Sequence, residues 1–223
     1  MTETPLLAPQ LVVGSRMLHF GWIPADPEAA AGLVPSGLTP AENRGVYINQ
    51  YVVDKAEQTS GFGVYSLTYL GVELSGLDAP GGGAGRFWTH YFNSSEGMRA
   101  YAKERGVPAT VGETVIDFQG GRIVATTFAD GTPVIRSEAR IGSGIAEVAR
   151  GHLRYVTRVD DTFVSGRYAF VAELVESFEL VSCKFLDPSH PVYALRPKDP
   201  LEVTFGFYSP RASFCYPGGE EVV

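Results

Sequence analysis

The chain has 223 residues, of which 44% are hydrophobic and 19% charged, and its formal net charge is -7. That length and apolar content allow a sizeable core and exclude a disordered chain. The acidic balance argues against nucleic acid or an anionic membrane as partner and leaves a small-molecule substrate, which answers to local fields.

The opening "MTETPLLAPQ" has neither the basic n-region nor the apolar h-region of a secretion leader. No run approaches the roughly 18 apolar residues of a membrane span. A soluble, cytoplasmic protein is expected.

Residues 13–23 alternate as a strand, with Arg16, Leu18, Phe20 and Trp22 on one face and Met17, His19 and Ile23 on the other. "DPEAAAGLVP" (26–35) predicts a helix, with Asp26 as N-cap, Pro27 at its first position and Glu28 in its first turn. "GVYINQYVVD" (45–54) and "FGVYSLTYLGVEL" (62–74) are rich in β-branched and aromatic residues and predict strands. The glycine loop "DAPGGGAG" (78–85) leads into a strand, "RFWTHYF" (86–92). "SSEGMRAYAKERGVP" (94–108) predicts a second helix, capped by Ser94 or Ser95, ended by Gly106 and kept from returning by Pro108.

"ETVIDF", "GRIVATTF" and "PVIRSEARIG" follow as strands joined by Gly-Gly and Asp-Gly turns. "SGIAEVAR" (143–150) reads as a short third helix. "HLRYVTRVD", "GRYAFVAELVESFELVSCKF" and "LEVTFGFYSPRASFCY" complete the strands. Strands in runs, rather than alternating with helices, predict a mainly β fold: an antiparallel barrel or double sheet with a few short helices. No linker or internal repeat divides the chain, so residues 1–223 are expected to form one domain.

Motifs for common cofactors are missing. "GGGAGR" lacks the Lys-Ser/Thr and the strand-to-helix context of a phosphate loop. His19, His90, His152 and His190 are far apart in sequence, and Cys183 and Cys215 have no metal-like spacing. No metal and no cofactor are expected.

Several segments, taken in order, resemble the acetoacetate decarboxylase superfamily. "ADPEAAAGLVPSGLTP" (25–40) is similar to that family's early helix, "QTSGFGVYS" (58–66) to its Thr-Ser-Gly-x-Gly-x-Tyr strand entry, and "AYAKERGVP" (100–108) to its Ala-Tyr-Pro-Lys-Lys-x-Gly-x-Pro. "GRIVATTF" (121–128) is similar to the strand that follows, and the resemblance spans residues 10–215. It implies a barrel-like fold, a homo-oligomer, and a lyase whose lysine forms a Schiff base with a small keto acid or β-dicarbonyl compound. Lys103 falls on that lysine, and Arg16 falls on an arginine near the substrate carboxylate. The pattern also departs from the family: Glu104 stands where the family has a second lysine, and Asn49 and Leu67 fall where it has two glutamates. These losses favour aldol, dehydration or cyclisation chemistry over decarboxylation of acetoacetate itself.

A nucleophilic amine must be neutral. With lysine's reference pKa near 10.4, only about one amine in a few thousand is free at neutral pH, so Lys103 needs burial or a nearby cation. Arg99 or Arg105 are candidates for that cation. The competing reading makes Lys103 an ordinary surface charge on an amphipathic helix. Arg16 either pairs with a carboxylate or awaits an anionic ligand. Glu73 and His90 are candidate general acids or bases, and Tyr65 and Tyr91 candidate orienters of a carbonyl oxygen. Two further readings stay open: a lysine-independent hydrolase, isomerase or cyclase on the same barrel, and a non-catalytic binder of an apolar carboxylate ligand.

Overall fold

The computed structural model describes residues 6–223. The first five residues lie outside that range. The strands are β1 (Gln10–Trp22), β2 (Val46–Val53), β3 (Tyr65–Glu73), β4 (Arg86–Asn93), β5 (Ala109–Gln119), β6 (Arg122–Ala129), β7 (Thr132–Ile141), β8 (Ile145–Val159), β9 (Thr162–Val175), β10 (Phe178–Phe185) and β11 (Val203–Tyr216), with a short β12 (Glu221–Val222). The two α-helices are α1 (Pro27–Ala31) and α2 (Glu96–Lys103). The mainly β class expected from the strand runs is the one observed.

Seven strands close into a barrel in the order β1-β2-β3-β4-β8-β9-β11 and back to β1. All neighbours in it are antiparallel except β4 and β8, which pair in parallel at Arg86 with Tyr155 and Phe87 with Val156. Further along, β4 pairs in parallel with β5, and β5-β6-β7-β10 form a second, antiparallel sheet. The second sheet lies against the outer face of β1 to β3, so these strands are buried on both faces.

Two cores result. The barrel interior is filled by Tyr47, Tyr51, Tyr65, Tyr69, Tyr91 and Tyr168, among others. The space between the barrel wall and the second sheet holds Leu18, Phe20, Trp22, Ile48, Leu70 and Ile135. Successive residues of a strand point to opposite faces. On β1, Leu18, Phe20 and Trp22 therefore enter the outer core while Met17 and His19 enter the barrel.

Both helices start where their caps predict. The Asp26 side chain accepts from the Ala29 amide, and Ser95 Oγ accepts from the Met98 amide. Gly106, at φ 71°, turns the chain after α2. The helix expected at 143–150 is instead the start of β8. Its alanines and glutamate suit a helix, but pairing with β9 (Val148 with Glu173, Ala149 with Ala172) supplies a full backbone ladder, and tertiary context overrides a weak local preference. No helix among the described residues is long and apolar enough to cross a membrane.

Candidate functional site

One cavity opens inside the barrel, with a volume of about 190 Å³. Most of its wall is apolar, with Phe170, Phe205, Phe207 and Phe214 as its aromatic part. Its polar members are His19, Asn49, Arg86 and Tyr168. They come from four strands, and pairing brings them together: His19 on β1 lies opposite Asn49 on β2, and Arg86 opens β4 opposite Glu73 at the end of β3.

Arg86 is 8% exposed. Its guanidinium lies between two rings, 4.1 Å from the Tyr47 centroid and 5.2 Å from that of Phe205. Its Nη1 lies 3.2 Å from His19 Nε2, and its Nη2 lies 3.9 Å from a Glu73 carboxylate oxygen. Gly45 makes room for that carboxylate, since a Cβ there would stand 2.5 Å from Glu73 Oε2. The Nε of Arg86 is buried without a protein partner.

Arginine has no acceptor, so the contact with His19 can only be a donation from Nη1 to the lone pair of Nε2. The imidazole is then neutral and carries its proton on Nδ1. Burial, followed by the charge of Arg86, pushes the His19 pKa well below its usual value, which agrees. His19 Nδ1 is also buried without a partner.

A second polar run crosses the same wall. Asn49 Nδ2 donates to Tyr69 Oη at 2.8 Å, and Tyr69 Oη lies 2.7 Å from Tyr168 Oη. Either hydroxyl can donate across this contact; where Tyr69 donates, the hydroxyl hydrogen of Tyr168 is left for the cavity. Burial raises the pKa of Tyr168 well above 10, so the hydroxyl stays protonated. The site thus collects one cation, one neutral N–H and one O–H donor in an apolar enclosure, which suits an anionic or strongly polarised oxygen. Among the described residues no group of three or more His, Cys, Asp or Glu is placed to hold a metal ion.

The residues expected from sequence scatter relative to this cavity. Glu73 is the one that reaches it, through Arg86. Tyr65 and Tyr91 lie inside the barrel but not on the cavity wall: Tyr65 bonds to Tyr51 at 2.7 Å, and Tyr91 packs on Trp88 at 5.8 Å. His90 points out of the barrel toward Phe92 and His190, with ring centroids 6.1 and 6.3 Å away. Arg16 also faces outward. It forms a bidentate pair with Asp54 at 2.6 and 2.8 Å and donates to the Ile116 carbonyl at 3.0 Å. Carboxylate pairing, not ligand capture, is therefore what satisfies Arg16.

Lys103 is the last residue of α2 and is exposed. The helix buries Met98, Tyr101 and Ala102 and leaves Lys103 at its C-terminus, where a cation suits the helix dipole. The burial on which a covalent role depends is not supplied at this position. The two cations considered for its activation are engaged elsewhere: Arg99 donates to the Asn93 carbonyl, and Arg105 lies 3.6 Å from the Tyr101 ring centroid.

His19 and Arg86 were not singled out from sequence. The signal for Arg86 was a lone cation heading a strand rich in aromatic residues. For His19 it was its place on the face of β1 opposite Arg16.

No protein-family model and no curated protein matches the sequence. Solved structures do. An acetoacetate decarboxylase superimposes with a TM-score of 0.71 at 14% identity, covering 98% of this chain and 90% of the other. The acetoacetate decarboxylase of Legionella pneumophila gives 0.69 at 13% identity, covering 100% and 92%. The enduracididine biosynthesis enzyme MppR gives 0.69 at 13% identity, covering 99% and 88%, and has also been seen complexed with pyruvate. The chain has the acetoacetate decarboxylase fold.

Proposed function

We propose that this protein is a lyase-type enzyme that binds a small keto acid in the barrel cavity and stabilises an enolate there without a covalent lysine. Arg86, the Nδ1–H of His19 and the Tyr168 hydroxyl hold the carbonyl oxygen. When the bond to a β-carboxylate breaks, carbon dioxide leaves and the bonding electrons pass to that oxygen as an enolate. No base is needed for this step. Three donors fixed by the barrel around one cavity need little reorganisation as the oxygen's charge grows, and the apolar wall strengthens their effect. The same oxyanion site would serve retro-aldol cleavage.

The observation that carries this reading is the Arg86 to His19 contact. It makes a buried imidazole a neutral donor beside a buried cation, in a cavity whose wall is mostly apolar. The fold likeness to acetoacetate decarboxylases and to MppR supports a keto acid as substrate class.

The test compares two variants against acetoacetate and benzoylacetate, following release of carbon dioxide. Arg86→Met should abolish turnover while Lys103→Ala retains it, and borohydride reduction with substrate should leave Lys103 without added mass. Loss of turnover in Lys103→Ala together with a borohydride adduct on Lys103 would overturn the reading.

A further inference from the structure

The cavity offers donors to an oxygen, but one of its polar atoms asks for the opposite. Asn49 is 1% exposed, and its Oδ1 is buried with no protein partner. The orientation of its amide is fixed from the other side. Both hydrogens of Nδ2 are taken, one by Tyr69 Oη at 2.8 Å and one by Met17 Sδ at 3.4 Å. A thioether only accepts, so the amide cannot turn to present Nδ2 to the cavity without losing that contact. This acceptor thus belongs to a residue that lines the same cavity as Arg86 and His19, whose Nε and Nδ1–H are also unpartnered, and as the Tyr168 hydroxyl. An oxyanion alone satisfies the donors and leaves Asn49 Oδ1 unpaired at the cavity wall, which is unfavourable.

We infer that Asn49 is a specificity-determining residue that selects a head group with an O–H beside its anionic or carbonyl oxygen. The chemical class is a 2-hydroxy acid, or the enol form of a keto acid. The oxyanion takes the hydrogens of Arg86, His19 and Tyr168, and the neighbouring hydroxyl donates to Asn49 Oδ1. His19 and Asn49 are cross-strand partners, so the donor and the acceptor sit side by side on the barrel wall at the spacing of one ladder pair. The remainder of the ligand is apolar and compact, because Phe205, Phe207 and Phe214 line the remaining space. A site that satisfies a hydroxyl disfavours the analogue without it, since its own buried polar atom is then left unpaired.

This inference rests on Arg86 holding the anionic end, and the experiment keeps the two apart. Binding of lactate against propionate, and of mandelate against phenylacetate, is measured calorimetrically at pH 7.5 to the wild type, Asn49→Leu and Arg86→Met. The wild type should bind each hydroxy acid at least about tenfold more tightly than its partner, the value of one added hydrogen bond. In Asn49→Leu that ratio should fall to near one, and in Arg86→Met all four acids should weaken. If Asn49→Leu does not fold, the wild-type ratios decide. Equal binding of both members of each pair by the wild type, with Arg86→Met still weakening them, overturns the selection by Asn49 alone. Failure of all four acids to bind, or binding indifferent to Arg86, overturns the anion site and this inference with it.

Discussion

Two arginines sit on the walls of the same barrel and meet opposite fates. Arg16 points out of β1 into the seam with the second sheet, where Asp54 and the Ile116 carbonyl accept one bond from each of its three nitrogens. Its side chain is 27% exposed and its carboxylate partner's 43%. Arg86 points into the barrel, is nearly buried, and has one weak carboxylate contact, one histidine and one free N–H. An arginine whose three nitrogens each have an acceptor holds structure together, whereas one left short of acceptors in a dry cavity is poised for an anion. The contrast lies in what faces each side chain, since each arginine stands among apolar neighbours in its strand.

The largest effect that would break this contrast is at Arg86. Replacing it with methionine, which packs between Tyr47 and Phe205, should weaken keto-acid binding about 100-fold, or roughly 3 kcal/mol, by removing charge-assisted hydrogen bonds. It should also raise the His19 pKa from its depressed value, because the repelling cation is gone, and NMR titration of the ring reads that. Unchanged affinity would make Arg86 as structural as Arg16.

Next in size is an effect outside the barrel. Burial, and then His190, lower the His90 pKa to about 4. An unfolded histidine titrates near 6.5, so the unfolded state binds the proton first as pH falls. Stability from a neutral His90 is full above pH 6.5 and is lost between 6.5 and about 4, by roughly 3 kcal/mol at most. His90→Gln should flatten the fall in urea stability between pH 7.5 and 4.5 and leave keto-acid binding at pH 7.5 unchanged. A change in binding would draw His90 into the site.

Smaller still, Tyr168→Phe should cost about tenfold in keto-acid affinity, the worth of one hydrogen bond, with thermal stability nearly kept because Tyr69 loses only its acceptor. The smallest expected change is Arg16→Gln. It should lower stability by less than about 1 kcal/mol, as for a partly exposed ion pair, and leave ligand affinity alone. A loss of affinity there would return Arg16 to the site its family resemblance implied.

Much of the architecture was legible as pattern. The alternation in β1, the caps Asp26 and Ser95 and the turn glycines are local signals, and each element they mark is present. The stretch 143–150 misled because its composition favours a helix while its partner strand, β9, follows it in the chain and becomes visible only once the hairpin is paired. The site was less legible. Alternation correctly separated Arg16 from His19, but both faces of β1 are buried, so the pattern could not say which face looks into the barrel.

The sequence by itself determined the β class, the two capped helices and the inventory of polar residues on apolar strands, because these follow from spacings of two and 3.6 residues and from cap chemistry. Tertiary structure decided which inventory members meet. Closing seven strands into a ring set His19 against Asn49 and turned Arg86 inward beside them. Pairing β1 with β2 set Arg16 beside Asp54, the second sheet added the Ile116 carbonyl, and docking α2 by Met98, Tyr101 and Ala102 left Lys103 in water. A residue's chemistry depends on its neighbours, and in a β barrel those neighbours come from strands far apart in the chain.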